Sequence, residues 1–538
     1  MKRRLLIILL LFIALISKAQ DKECFGLYSD RDLYASGETL LLKVFVPVNE
    51  LSGIVHIDLI NSRGKIITGI SKKIINHQAD GFIDLPDSLS TGCYLLSSST
   101  KINSRITVKE VYICNRFTGF PESNSLLRSS EKSLLVEKPW NEIQINGLDQ
   151  VYKTRANANL TIHLPSELLT QIKENLYVSV AEIAPGYNSQ TFIKSTKPKT
   201  NQNVEKEGII LEGVVKDMKT GEPFKNGIVY LSVPDTFPRF KYYITGSDGS
   251  FNFQLENYFG KIPIVIQAFD REEKRLLKII LSRRDSLTSS LTAFANWTIT
   301  PELRKNAEDN IAAVNFRRIF NRQELTVLPP PIKKTDAYPF YGIPNEVVYP
   351  NLFIDLPNFT EISRELLPGV KFRAYNRIPT LQVFSPALHN FFNEQPLILL
   401  NGIPTRDLSV IKDLGSKEIG RIEISHSKRY YGNLIFPGVV AIYKLKADDT
   451  QLTESVDLIK LKLDAIQPEV ILNTPIEHQQ LNEMDLRKVL LWKPTLTPEQ
   501  TIKLDFETSD IRGNFKLVIH GKTNDGSIFY KEQFFEVN

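Results

Sequence analysis

Along most of its length the chain repeats one pattern: short runs of Val, Ile, Leu and aromatic residues closed off by Gly, Pro, Asn, Asp or Ser. LLLKVFVPV, IVHIDLI, NLTIHL, LYVSVAEI, GIVYLSV, PIVIQAF, DLIKLKL and FKLVIHG are the clearest examples, and each has the length and boundaries of a β-strand. Helical spacing is scarce. Its best instance is PELRKNAEDNIAAVNFRRIFNRQEL, residues 301–325, where Pro301 suits a first turn and apolar residues recur three and four apart from Ile311 to Phe320. The chain has 538 residues, more than one core organises, so several domains of roughly 100–150 residues are expected.

Turn signals and polar tracts set the expected boundaries. A first β-sandwich covers 22–118 and a second β domain 136–196. The polar tract STKPKTNQNVEKEG at 195–208 reads as a linker. Another sandwich follows over 207–285, with Lys219–Pro223 and Ser247–Gly249 as its turns. The helix and a proline-rich joint, LPPPIKKTDAYPFYGIPNEVVYP, occupy 286–350. An α+β segment then spans 351–447, and 452–538 reads as a closing Ig-like sandwich with Trp492 as a core anchor.

The N-terminus changes the charge picture. Lys2-Arg3-Arg4 precede an apolar run over 5–16 that is shorter than the roughly 20 residues of a membrane-spanning helix. With the small residues Ser17 and Ala19 behind it, this is expected to be a signal peptide over 1–19. Lys2, Arg3, Arg4 and Lys18 belong to it, so 62 of the 66 basic residues remain against 61 acidic ones. A nearly neutral exported chain carries no field that would draw nucleic acid, and no later apolar stretch is long enough to be a transmembrane segment. The three cysteines are Cys24, Cys93 and Cys114. A hairpin centred near residue 103 brings Cys93 and Cys114 within a register step, so a disulfide between them is expected, with Cys24 a buried thiol.

Three resemblances sharpen the domain reading. SDRDLYASGETLLLKVFV, followed by DGFIDLPDSLSTGCYLL, resembles the macroglobulin-type β-sandwich. In that family the domain is a structural and docking module. The Cys-Gly-Glu-Gln motif on which the family's trapping chemistry depends does not occur here. LEGVVKDMKTGEPFKNGIVYLSV with YYITGSDGSFNFQL resembles the carboxypeptidase regulatory-like sandwich, a spacer. The zinc-ligand patterns His-x-x-Glu and His-Glu-x-x-His are absent from the chain.

The third resemblance is to the plug domain of TonB-dependent receptors, over about 353–446. It rests on a helix ending in Leu367-Pro368-Gly369-Val370, the turn Leu400-Asn401-Gly402-Ile403-Pro404, the stretch Glu418–Ile424, and Tyr431-Gly432 before Gly438–Ile442. Asn401 replaces the usual aspartate of that turn, and no energy-coupling box is evident. Only 92 residues follow Lys446, too few for the 22-stranded barrel such receptors close. The whole order resembles barrel-less plug-containing envelope proteins of Gram-negative bacteria.

Candidate chemistry is sparse. The seven histidines are scattered without metal-ligand spacing, and neither a cofactor nor a catalytic set is expected. Asp30, Arg31, Asp32 and Glu38 form a charged group in the first sandwich, read as solvated strand ends. His426, Lys428, Arg429, Tyr430 and Tyr431 form a basic, aromatic rim, read as the candidate partner-binding surface.

The expected fold class is therefore multi-domain and mainly β: tandem Ig-like or macroglobulin-like sandwiches with one α+β plug-like domain. The expected role is a non-catalytic scaffold or docking accessory, periplasmic or associated with the outer membrane. Its expected partner is an envelope protein, an outer-membrane barrel or an assembly complex. The alternative is a peptide- or glycan-processing or binding protein with its site in a cleft between modules, lined by stretches such as AYPFYGIP and RYYGNLIF.

Overall fold

The structure is a computed structural model. It describes residues 24–120, 125–129, 135, 137–187, 189–195, 203–234, 239–271, 274–282, 294–319, 325–329, 338–375, 378–446, 452–472 and 484–538. The expected signal peptide lies outside the described residues, as do the middle of the 195–208 linker and part of the proline-rich joint. The chain is multi-domain and mainly β, and its contacts divide it into two compact units.

The first unit combines residues 1–209, 284–330 and 465–538. Its N-terminal sandwich packs a sheet of Gly26–Ser29, Thr39–Phe45 and Gln78–Asp84 against a sheet ordered Ile66–Lys73, Ile54–Asn61, Gly92–Ser99, Arg105–Cys114 and Thr191–Ser195. Alternation dictates the packing: Leu40, Leu42 and Val44 on one sheet meet Val55, Ile57 and Leu59 on the other in one buried core.

The second sandwich of this unit differs from the sequence expectation. Residues 136–196 and 452–538 do not make two bodies. Asn157–His163 pairs along its whole length with Thr501–Glu507. Leu176–Glu182 lies between Val489–Leu496 and Gly513–Lys522. Leu160, Ile162, Val178 and Val180 share a core with Leu504, Phe515, Leu517 and Ile519. Neither half has enough strands to cover its own apolar face, so each completes the other into a composite sandwich.

The helix runs over Pro301–Ile319. It buries Leu303, Ala307, Asn310 and Val314, one face at helical spacing, and sits over Leu33, Cys93, Tyr112 and Cys114 of the first sandwich. Ile319 is exposed, so the buried face begins earlier than the spacing from Ile311 to Phe320 suggests.

The second unit combines residues 210–283 and 331–464. One sandwich has sheets of Ser250–Glu256, Gly208–Asp217 and Leu277–Leu281, and of Arg239–Ile244, Ile228–Val233, Lys261–Phe269 and Leu458–Asp464. The last of these strands therefore belongs here and not to a closing sandwich. The neighbouring α+β body has a five-stranded sheet ordered Glu346–Val348, Ile419–Tyr431, Leu434–Lys444, Leu397–Leu400 and Ile403–Pro404.

The helix Phe359–Glu365 closes the core of this body, and its first turn is capped by Asn358, whose side chain accepts from Glu361 N at 3.0 Å. The tight turn after Leu400 places both Asn401 (φ 49°) and Gly402 (φ 81°) in the left-handed region. A two-residue hairpin turn with two positive φ values favours Asn-Gly, and Asn401 Oδ1 also accepts from Lys444 N at 2.9 Å.

Candidate functional site

Of the charged residues of the first sandwich, Asp30, Arg31 and Glu38 are buried and Asp32 is half-buried, where solvated strand ends were expected. Arg31 Nε lies 3.2 Å from Asp30 Oδ2, and Arg31 Nη2 lies 3.2 Å from Glu38 Oε1. Arg317, from the helix Pro301–Ile319, reaches the same Glu38 oxygen at 2.9 Å. Asp30 Oδ1 accepts from Tyr34 Oη and from Leu41 N, both at 2.8 Å. Glu38 Oε2 accepts from Ala35 N at 2.7 Å.

Burial alone would raise the Glu38 carboxyl, but Arg31 and Arg317 outweigh it and hold it below the ordinary carboxylate range. Asp30 goes the other way, because burial outweighs Arg31. Buried ions that satisfy one another fix geometry at little net gain, and removing one is costly.

Asp30, Arg31 and Asp32 also form one wall of a cleft of about 570 Å³ between the two sandwiches of the first unit. Its floor is the outward face of the composite sheet. Strand register arranges that floor as three rows of three: Tyr177, His520 and Tyr530; Ser179, Val518 and Glu532; Ala181, Lys516 and Phe534. These are i, i+2, i+4 positions on three adjacent strands, so all nine point to one side while Val178, Val180, Leu517 and Ile519 point into the core.

The cleft's charges are matched in place. Lys109 Nζ and Ser189 Oγ both reach Asp32 Oδ1 at 2.8 Å. Lys516 lies 3.5 Å from Glu532. Tyr28 Oη donates to Glu137 Oε1 at 2.5 Å, and His520 Nε2 lies 3.6 Å from Glu137 Oε2. Burial would raise Asp32 and Glu137; Lys109 in the first case, and His520 with Tyr28 in the second, hold both carboxyls below their usual range. Carboxylates so engaged are poor general bases, and the arrangement is suited to holding a ligand.

The residues expected to bind a partner are split by the fold. His426 is buried, with Nδ1 3.0 Å from Phe384 O and Nε2 3.4 Å from Glu346 Oε1. Arg429 Nη2 donates to Ile343 O at 2.8 Å. Tyr431 Oη donates to Phe240 O at 2.7 Å, which ties the α+β body to its neighbouring sandwich. These three hold structure. Lys428 and Tyr430 face solvent, and Tyr430 is 71% exposed. The sequence reading missed an apolar run in the same body: Ile343, Val347, Tyr349, Leu352, Phe353 and Ile354 are all exposed. The signal was present in GIPNEVVYPNLFI, which reads as a joint because of its prolines.

The expected disulfide is not made. Cys93 pairs with Tyr112 in the hairpin, so Cys114 lies two residues out of register, on the diagonal. Both remain buried thiols under the helix Pro301–Ile319, and burial pushes Cys114 up to about 11. Cys24 is half-buried. Trp492 lies partly buried on the outward face of the composite sandwich, edge-on to Tyr177 with ring centroids 4.9 Å apart, and packs on the buried cluster of Tyr28, Phe45, Tyr177 and Ile528 where the two sandwiches meet. Among the described residues no group of His, Cys, Asp and Glu could hold a metal ion, and no helix is long and apolar enough to cross a membrane.

No protein-family model matches the chain, and no match is found among curated proteins. Solved structures with some similarity include a trypsin-activated alpha-2-macroglobulin from Escherichia coli, 9% identical with a TM-score of 0.23, in an alignment covering 96% of this chain and 41% of that one. The native conformation of E. coli alpha-2-macroglobulin aligns with a TM-score of 0.24 at 9% identity, covering 96% and 40%. A Salmonella alpha-2-macroglobulin mutant gives 0.23 at 8%, covering 96% and 39%. The chain thus spans about two-fifths of the length of these proteins. At such scores the likeness carries no weight for function.

Proposed function

We propose that this chain is a non-catalytic docking protein of the Gram-negative cell envelope. In this reading the α+β body is a plug-like domain, and it engages an outer-membrane transport, secretion or assembly protein along an open sheet edge. The supporting observation is the strand Glu346–Val348, which among the described residues has a single neighbour in its sheet, Ile419–Tyr431. Its free side and the turn after it expose Val347 (42%), Tyr349 (49%), Leu352 (74%), Phe353 (54%) and Ile354 (71%).

An edge with unpaired backbone groups invites an added strand, and contiguous apolar side chains beside it mark a contact surface. Fully burying one such side chain from water is worth roughly 1.5–3 kcal/mol, and covering these partly exposed ones gains a fraction of that each. The added partner is therefore an extended segment with apolar residues at alternate positions.

The experiment places a photo-crosslinking residue at Leu352 in the full chain and irradiates intact cells. One discrete adduct to an envelope protein is expected, lost when Leu352 and Ile354 are both replaced by Asp while thermal unfolding is unchanged. A solitary monomer outside the envelope fraction, with no adduct, would count against the proposal.

A further inference from the structure

The cleft of the first unit plays no part in that docking. Its floor and walls combine three features that together select a class of ligand. Its volume, about 570 Å³, lies within the roughly 300–1,000 Å³ of small-molecule sites. Aromatic rings line it from the core to the rim: Tyr28 and Tyr177 are buried, Tyr530 is half-buried and Phe534 is 57% exposed. Its carboxylates are already engaged: Asp32 by Lys109, Glu532 by Lys516, Asp30 by Arg31, Glu182 by Lys488, and Glu137 by the Tyr28 hydroxyl and the His520 ring.

A charged ligand entering this cleft must break one of those pairs or remain without a counter-charge, and either is expensive away from water. Neutral hydroxyls face no such cost. The pairs leave acceptor capacity: Asp32 Oδ1 takes both Lys109 and Ser189, and its second oxygen accepts nothing among the described residues. The Lys516–Glu532 pair is more than a third exposed on both partners and offers a donor and an acceptor side by side. Flat rings beside paired hydrogen-bonding groups suit the apolar face and the hydroxyl edge of a pyranose.

We propose that this cleft binds a neutral saccharide of two rings, one stacked on Tyr530 and the other on Phe534, hydrogen-bonded to Asp32 and to the Lys516–Glu532 pair. The chain then has a glycan contact in its first unit as well as a protein contact in its second.

Saturation-transfer NMR on the full chain tests this with cellobiose, maltose, chitobiose and mannobiose, against digalacturonate and the dipeptide Gly-Tyr as charged probes. At least one neutral disaccharide is expected to receive saturation, and Phe534→Ala, at an exposed position that leaves folding intact, is expected to weaken its binding at least fivefold. Tyr530→Ala is expected to abolish it, with the unfolding midpoint recorded to show that the variant is folded. Saturation of the charged probes alone, of no probe, or of a neutral sugar equally in wild type and Phe534→Ala overturns the proposal.

Discussion

The two units join their modules with different chemistry. In the first, the seam between sandwiches sets an apolar patch, where Tyr28 and Phe45 meet Tyr177, Ile528 and Trp492, beside a buried polar part. Lys522 is fully buried and donates to Val46 O at 2.6 Å, and Gln78 Nε2 donates to Asn175 O at 2.7 Å while its Oε1 accepts from Lys43 at 2.6 Å. Glu38 draws in Arg31 and Arg317. In the second unit the seam is aromatic: Tyr230, Phe240, Phe340 and Tyr431 pack with Leu397 and Leu399 in one cluster. A polar seam is directional and fails sharply when one partner is removed. An aromatic seam is graded, since it sums many weak contacts.

The sharpest way to break this contrast is to end the chain at Asp464. Every strand partner of Leu176–Glu182, and the outer partner of Asn157–His163, is then lost. The polar seam loses Lys522 with them. The truncated protein should be insoluble or lack a cooperative unfolding transition for its first unit, measured by circular dichroism. A soluble fragment with wild-type unfolding would show that the N-terminal half of the composite sandwich stands alone.

Glu38→Gln comes next. The substitution keeps the shape but leaves two guanidinium groups facing a neutral amide, and should cost about 3–5 kcal/mol in urea unfolding at pH 7. Because Glu38 titrates below its ordinary 4.5 when folded, it contributes stability above that pH, and the contribution fades as pH falls through the lower folded value. The variant should therefore lose part of the wild type's acid sensitivity below about pH 4.5. An unchanged acid limb would mean that the seam does not depend on this charge.

This contrast also explains what the sequence made legible. Strand content, most strands of the first sandwich and the Asn401-Gly402 turn follow from local patterns: alternation, turn residues and positive φ, while the edge strand Thr191–Ser195 of that sandwich comes from outside 22–118. The composite sandwich does not, because NLYVSVAEI and FKLVIHG each read as strands while nothing local says that Val178 and Ile519 share a core. The cleft inherits the same blindness, since His520 meets Tyr177 across more than three hundred residues. Asp30, Arg31 and Glu38 were visible as a group, but their partner Arg317 sits on a distant helix, and without it burial was not foreseeable.

Lys43 tests the polar seam in the opposite direction. Its burial, opposed by Asp80 and Glu174, lowers it from 10.5 to about 8. That depression corresponds to about 3 kcal/mol lost to the folded state at pH 7. Lys43→Met removes this penalty but forfeits the bond to Gln78, about 1–2 kcal/mol, so a net gain of about 1–2 kcal/mol is expected. Between pH 8 and 10.5 the unfolded lysine holds more protons than the folded one, so wild-type stability should rise with pH across that window. The variant should lack that rise. A destabilised Lys43→Met would show that the ammonium is held favourably in its site.

The smallest effect falls on the aromatic seam. Tyr431→Phe keeps the ring against Phe240 and Phe340 and removes only the hydroxyl that donates to Phe240 O. Losing one half-buried hydrogen bond while the packing stays should cost about 1 kcal/mol, seen as a shift of a few degrees in the unfolding midpoint of the second unit. Tyr431 titrates above its ordinary 10.0, chiefly through burial, so it is uncharged across the physiological range and the loss should be the same at pH 5 and pH 8. A cost comparable to that of Glu38→Gln would mean that this seam too hangs on a single polar contact, and the distinction between the two units would dissolve.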